Sequence, residues 1–168
     1  MRLEVYLSFE VWNFNFDIMD IFIRPACIED VPCLCGLLDK LFSIESDFVP
    51  HAEKQAHGLS LLINDPTSSS LVLAAIHGDK VVGMATIQTL VSTAEGGRVG
   101  LVEDVIVDPL FRGHRAGTLL LERIAAWGRE NGLTRLQLLA DNENRPALKF
   151  YLSRGWNTTR LICMRKMI

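Results

Sequence analysis

The stretch Glu103-Asp104-Val105-Ile106-Val107-Asp108-Pro109-Leu110-Phe111-Arg112-Gly113-His114-Arg115-Ala116-Gly117-Thr118 decides how this chain is read. Val99 to Val107 is rich in β-branched residues and reads as a strand, which Asp108-Pro109 stops because proline cannot donate to a ladder. Ala116 to Glu130 reads as a helix, with Leu120, Ile124 and Trp127 on its apolar stripe and Asn131-Gly132 at its end. Between the two lies a short basic loop. A helix start offers unpaired N–H groups and the positive end of the macrodipole. Gly113 and Gly117 are expected to let the backbone approach a ligand, while Arg112, His114 and Arg115 add positive potential. Together they make an anion site suited to a pyrophosphate. Neither GxxxxGK(S/T) nor GxGxxG is present, so this is not a Walker loop or a dinucleotide-binding turn. In isolation, an ordinary glycine-containing turn capped by basic residues would look the same.

Working outward, Ile21 to Arg24 reads as the first core strand. Asp30 to Phe42 follows as a helix, with Val31, Leu34, Leu38 and Leu41 on one stripe. The stretch from Ser43 to Glu53 is polar and acidic, and a second helix runs to about Ile63. Leu71 to Ile76 and Val81 to Leu90 flank His77-Gly78-Asp79-Lys80 as a hairpin. Downstream, Arg135 to Ala140 reads as a strand and Arg145 to Arg154 as a helix. That helix has Asn144 as cap, Pro146 in its first turn and Gly155 past its end. Leu161 to Lys166 can supply a last strand. The pattern predicts an α/β (α+β) domain with a mixed sheet and helices on both faces.

The chain has 168 residues, 49% hydrophobic and 22% charged, which suits one globular domain and excludes disordered or low-complexity classes. Its net charge of −3 lacks the basic footprint of a nucleic-acid binder. No apolar run approaches the roughly 20 residues of a membrane helix. Acidic residues interrupt the N-terminus, which does not read as a signal peptide. Cys27, Cys33, Cys35 and Cys163 form no CxxC pair and read as reduced thiols. A cytoplasmic protein without nucleic-acid or membrane partners is expected. Residues 1–18 read as an N-terminal extension and residues 19–168 as a single domain, because a natural domain start appears at Met19-Asp20-Ile21-Phe22-Ile23-Arg24-Pro25.

On the last helix, Asn144, Ala147 and Tyr151 share one face at i, i+3 and i+7. The basic loop from Arg112 to Gly117 followed by Asn144, Ala147, Tyr151, Gly155 and Trp156 resembles the GNAT superfamily of acyl-CoA-dependent N-acyltransferases. That family carries an R/Q-x-x-G-x-G/A loop after a central strand, then an NxxAxxxY helix ending in glycine and an aromatic residue. The resemblance spans about residues 20–168. It implies a mostly antiparallel sheet splayed at its central strands, with acetyl-CoA as acyl donor and an amine as acceptor. It further implies that a bulge near Val105, Ile106 and Val107 exposes backbone to the pantetheine arm. Amides of Arg112, Gly113, His114, Arg115, Ala116, Gly117 and Thr118 would hold the pyrophosphate. Asn144 would bond the pantetheine or phosphate portion, with Tyr151 beside the thioester sulfur. Arg115 stands where the family usually has glycine, and helical geometry is expected there.

An amine attacks a thioester only as the free base, and at pH 7 a lysine-like amine is neutral to well under about 0.1%. Glu103 is the first candidate for the base, acting directly or through water, with Asp104 second because adjacent strand residues face opposite sides. Tyr151 is the general-acid candidate for the departing thiolate. The acidic loop carrying Glu45, Asp47 and Glu53 hints at a cationic acceptor. No metal set is recognised. A non-catalytic acyl-CoA-binding module on the same fold is the competing reading, and a homodimer stays open. A chain starting at Met19 is expected to melt cooperatively and stay soluble; loss of either in a thermal unfolding experiment would make residues 1–18 an integral strand.

Overall fold

The computed structural model describes residues 20–45 and 47–168, so the expected extension over 1–18 lies outside the described residues. Five strands form one sheet in the order β1-β2-β3-β4-β5: β1 Ile21–Pro25, β2 Ser70–His77, β3 Lys80–Ser92, β4 Gly97–Val107 and β5 Leu136–Leu138. The first four pair antiparallel and β5 pairs parallel to β4, which makes the sheet mixed and mostly antiparallel. The helices are α1 Val31–Phe42, α2 Ala52–Ile63, α3 Ala116–Glu130 and α4 Arg145–Ser153.

Strand alternation sorts the apolar residues into two cores. Leu73, Ala75, Ala85, Ile87 and Val102 pack with Leu120 and Ile124 of α3 on one face. Val72, Met84 and Ile106 pack with Leu34, Leu38 and Leu59 of α1 and α2 on the other. The start of α1 is tied to β1 by a two-pronged ion pair. Arg24 Nη1 and Nη2 donate to Asp30 Oδ2 and Oδ1 at 2.6 and 2.8 Å, and the Cys27 amide donates to Asp30 Oδ2 at 2.8 Å. The guanidinium holds the Asp30 carboxyl well below the usual carboxylate range.

Two features of β4 shape the centre of the sheet. Opposite β3, Ile106 pairs with Met84 and Glu103 with Thr86, so Asp104 and Val105 together stand against Ala85. This is a β-bulge, one residue earlier than the sequence places it, and Asp104 adopts φ +54° there. On its other side, β4 pairs with β5 only from Gly100 to Val102. Beyond Val102 no strand among the described residues covers that edge, so the sheet opens where the bulge begins.

The expected last strand over Leu161–Lys166 does not form; residues 156–168 carry no helix or strand, and Leu161, Ile162 and Met164 are more than 80% exposed. β-rich composition makes a strand only where an edge accepts it. β5 extends over three residues instead of Arg135–Ala140, which leaves little ladder to template another strand.

The parallel contact depends on Gly100, where an added Cβ would lie 2.7 Å from Leu136 Cδ2 and 2.8 Å from Ile87 Cδ1. Gly100→Ala is expected to destabilise the domain by about 1–3 kcal/mol through overpacking. Gly36→Ala, on α1 with nothing within 4 Å of the new methyl, should be stabilising by up to about 1 kcal/mol. Urea unfolding of both checks the contrast.

Candidate active site

The bulge places Asp104 on the α1/α2 side of the sheet beside Thr86, whose hydroxyl donates to Asp104 Oδ2 at 3.3 Å. Burial is the main influence on this carboxyl, and the charge of Glu103 adds to it. Together they push it up to about 6, against the opposing pull of the Thr86 hydrogen bond. Glu103 is exposed and accepts from Gln88 Nε2 at 3.1 Å. The half-buried carboxyl with the raised pKa is thus at the second of the two candidate positions.

Tyr151 lies in α4, packed against Phe150 and Trp156 at ring-centroid distances of 5.5 and 6.1 Å. Burial, followed by the charge of Glu45, pushes its phenol up to about 12. Asn144 caps α4 as its sequence position predicts, its Oδ1 accepting the Ala147 amide at 3.1 Å. The cap uses the carbonyl oxygen and leaves the two Nδ2 hydrogens for another partner. Glu45 was read only as part of an acidic loop, yet it couples to both Asp104 and Tyr151. It lies three residues past the end of α1, where its amide donates to the Leu41 carbonyl at 3.2 Å. Burial, with the charges of Asp141 and Asp47, raises its own carboxyl. No sequence pattern links positions 45, 104, 141 and 151; only the fold does.

The basic loop begins at Asp108, which accepts from Lys40 Nζ at 2.6 Å and from the Leu110 amide at 3.0 Å. Arg112 Nε donates to the Val107 carbonyl at 3.1 Å. Gly113 has φ +83° with open space around it, a conformation only glycine takes easily. Arg115 does not take the expected helical geometry: it is the N-cap of α3 with φ +67°. The left-handed turn that glycine usually supplies is kept, with a cationic side chain attached to it. The first α3 bond runs from the Leu119 amide to the Arg115 carbonyl at 2.9 Å, so the amides of Ala116, Gly117 and Thr118 precede the helix ladder.

Gly117 has a packing role that the sequence reading missed. A Cβ there would meet Phe150 Cζ at 3.2 Å, so its smallness seats α4 against α3. These groups suit a pyrophosphate-bearing thioester: free helix-start amides, exposed Arg112 and Arg115, and the unpaired edge of β4 from Glu103 to Val107. Among the described residues no group of three or more His, Cys, Asp or Glu could hold a metal ion, and no helix is long and apolar enough to cross a membrane.

The chain is similar to several known proteins. It is 26% identical to the aminoalkylphosphonate N-acetyltransferase of Salmonella typhimurium over 134 residues, covering 80% of this chain and 83% of that protein. A transcriptional regulator from Bacillus halodurans superposes with a TM-score of 0.77 at 19% identity, covering 88% of this chain and 99% of that one. A predicted acetyltransferase from Clostridium acetobutylicum, solved with acetyl-CoA, superposes at 0.70 and 18% identity, covering 87% and 96%. The model of the acetyltransferase (GNAT) family matches residues 38–156, most of the folded domain, and the chain belongs to that family.

Proposed function

We propose that the chain is an N-acetyltransferase that moves the acetyl group of acetyl-CoA to a primary amine of a small molecule or peptide, by direct attack in a ternary complex. The carrying observation is the bulge that sets Asp104 beside the open edge of β4, where burial raises its carboxyl to about 6, together with the half-buried phenol of Tyr151, which burial raises to about 12. A carboxyl raised toward neutral pH in this way suits a general base. Arg112, Arg115 and the amides from Gly113 to Thr118 would hold the pyrophosphate, Asn144 Nδ2 the arm, and the free edge at Val105, Ile106 and Val107 the pantetheine. Bound there, acetyl-CoA supplies an activated acyl carbon and a thiolate leaving group.

Asp104 takes the proton of the attacking nitrogen as the C–N bond forms, a task suited to a base poised near 6. Glu103 has a supporting part, since its charge helps to raise Asp104. Tyr151 faces the other bond. Proton transfer from a phenol near 12 to a thiolate near 8.5 is uphill by roughly 5 kcal/mol. Tyr151 therefore donates a hydrogen bond to the sulfur as the C–S bond breaks, and the thiolate takes its proton from water after release. The products are the N-acetyl amide and free CoA thiol.

Asp104→Asn keeps the shape and tolerates positive φ. It should lower kcat by about 10²–10⁴-fold. It should also raise the melting temperature at pH 7.5. A carboxyl raised from 3.8 to about 6 binds its proton more tightly when folded, so stability falls as pH rises from about 4 to 6 and the ionised group is unfavourable above. Tyr151→Phe should lower kcat by about 10²–10³-fold with acetyl-CoA affinity unchanged. Measuring turnover, acetyl-CoA affinity and melting temperature on the three proteins checks both roles. Unchanged turnover in both variants would remove them, and acetyl-CoA binding without turnover in the parent would leave the non-catalytic module.

A further inference from the structure

The basic loop has little packing to hold its shape. From Val107 to Arg115 no residue is buried, Leu110 is 81% exposed, and Gly113 has open space around it. Polar ties must fix it instead, and they converge on Asp108, which joins β4 to the loop. The Asp108 amide donates to the Val82 carbonyl at 2.8 Å, and its own carbonyl accepts the Phe111 amide at 2.8 Å. Its Oδ1 accepts the Leu110 amide at 3.0 Å, which caps the short turn Pro109–Phe111. These ties come from β3 or from the turn itself. The remaining one reaches in from α1: Lys40 Nζ donates to Asp108 Oδ2 at 2.6 Å across 68 residues of sequence. The other ion pairs among the described residues are Arg24–Asp30, Arg123–Glu130 and Arg135–Glu95, and none of them touches the loop.

Lys40 lies in the last turn of α1. α1 and α3 cover opposite faces of the sheet, so this pair ties one helix to the segment that leads into the other. We propose, resting on the donor site of the acetyl-transfer reading, that Lys40 is a positioning residue: acting through Asp108, it holds the turn Pro109–Phe111, and with it the loop amides, in the shape that receives the pyrophosphate. With side chains 48% and 19% exposed, the pair adds little to global stability. Its effect is local, because a loop already shaped spares the ligand the cost of ordering it. A plain field effect makes a different claim. Lys40 would attract the anion and Asp108 repel it, so their removals would shift affinity in opposite directions. Positioning requires both removals to weaken binding.

The test titrates CoA calorimetrically into the parent, Lys40→Met, Asp108→Asn and the double variant, at about 0.15 M salt to screen distant charges. Asparagine keeps an oxygen for the Leu110 amide and removes only the charged partner of Lys40. Each single variant should bind CoA about three- to five-fold more weakly, the span a half-exposed ion pair allows. The double variant should be no weaker than either single one, since both remove the same interaction. Melting temperatures should barely move, while amide hydrogen exchange across residues 109–115 of the ligand-free protein should quicken in all three variants. Equal or tighter CoA binding by Asp108→Asn would overturn the inference, as would losses that add in the double variant or loop exchange that does not change. Each of these leaves acetyl transfer intact, because the parent still binds its donor. A parent that does not bind CoA would instead refute the donor site and the acetyl-transfer reading, and the inference with them.

Discussion

One extra residue in β4 organises this molecule. Val102 packs on the α3 face, and so do Val105 and Val107, which would be impossible in an uninterrupted strand where odd and even positions face opposite ways. The bulge at Asp104 and Val105 switches the parity. Without it, Asp104 would share a face with Val102 and would point a carboxylate into the apolar core under α3. With it, the carboxyl lies beside Thr86 on the other face, and Ile106 still joins the core with α1 and α2. The pairing of β4 with the three-residue β5 ends at Val102, just before the bulge, and leaves an edge available beside the carboxyl. The proposed base and the proposed donor edge thus lie side by side in β4.

The unfavourable contributions concentrate where the chemistry is proposed. Asp104 and Arg115 hold φ values of +54° and +67°, in a region that costs a non-glycine residue about 1–3 kcal/mol. The charge at Asp104 is partly buried without a cation. The scaffold offsets this through two apolar cores, one on each face of the sheet, and through the Arg24–Asp30 pair that fixes α1. Gly117 links the two halves of the site. By admitting Phe150, it brings α4 against α3, and with α4 come Asn144 and Tyr151.

Much of this was legible in the residues. The strand–basic loop–helix run and the Asn144-to-Tyr151 face identified the fold, because their signals are local: a proline stop, a cap, a helical spacing. Strand positions from β1 to β4 followed from composition for the same reason. The choice between Glu103 and Asp104 was not legible, since strict alternation is the rule that the bulge breaks, and aspartate at positive φ leaves no mark in sequence. The influence of Glu45 on Asp104 and Tyr151 was equally hidden, because it depends on the tertiary fold. Leu161 to Lys166 shows the converse: the residues have strand character, but a three-residue β5 offers too short an edge.

The central claim is that the bulge holds a carboxyl poised near neutral pH at the heart of the site. Carbon-13 NMR titration of the side-chain carboxyls in the ligand-free protein, with Asp104→Asn used for assignment, tests it most directly. The account predicts one aspartate resonance with a midpoint near pH 6, absent from the variant. An Asp104 resonance that titrates near 4, like an ordinary exposed carboxyl, would contradict it.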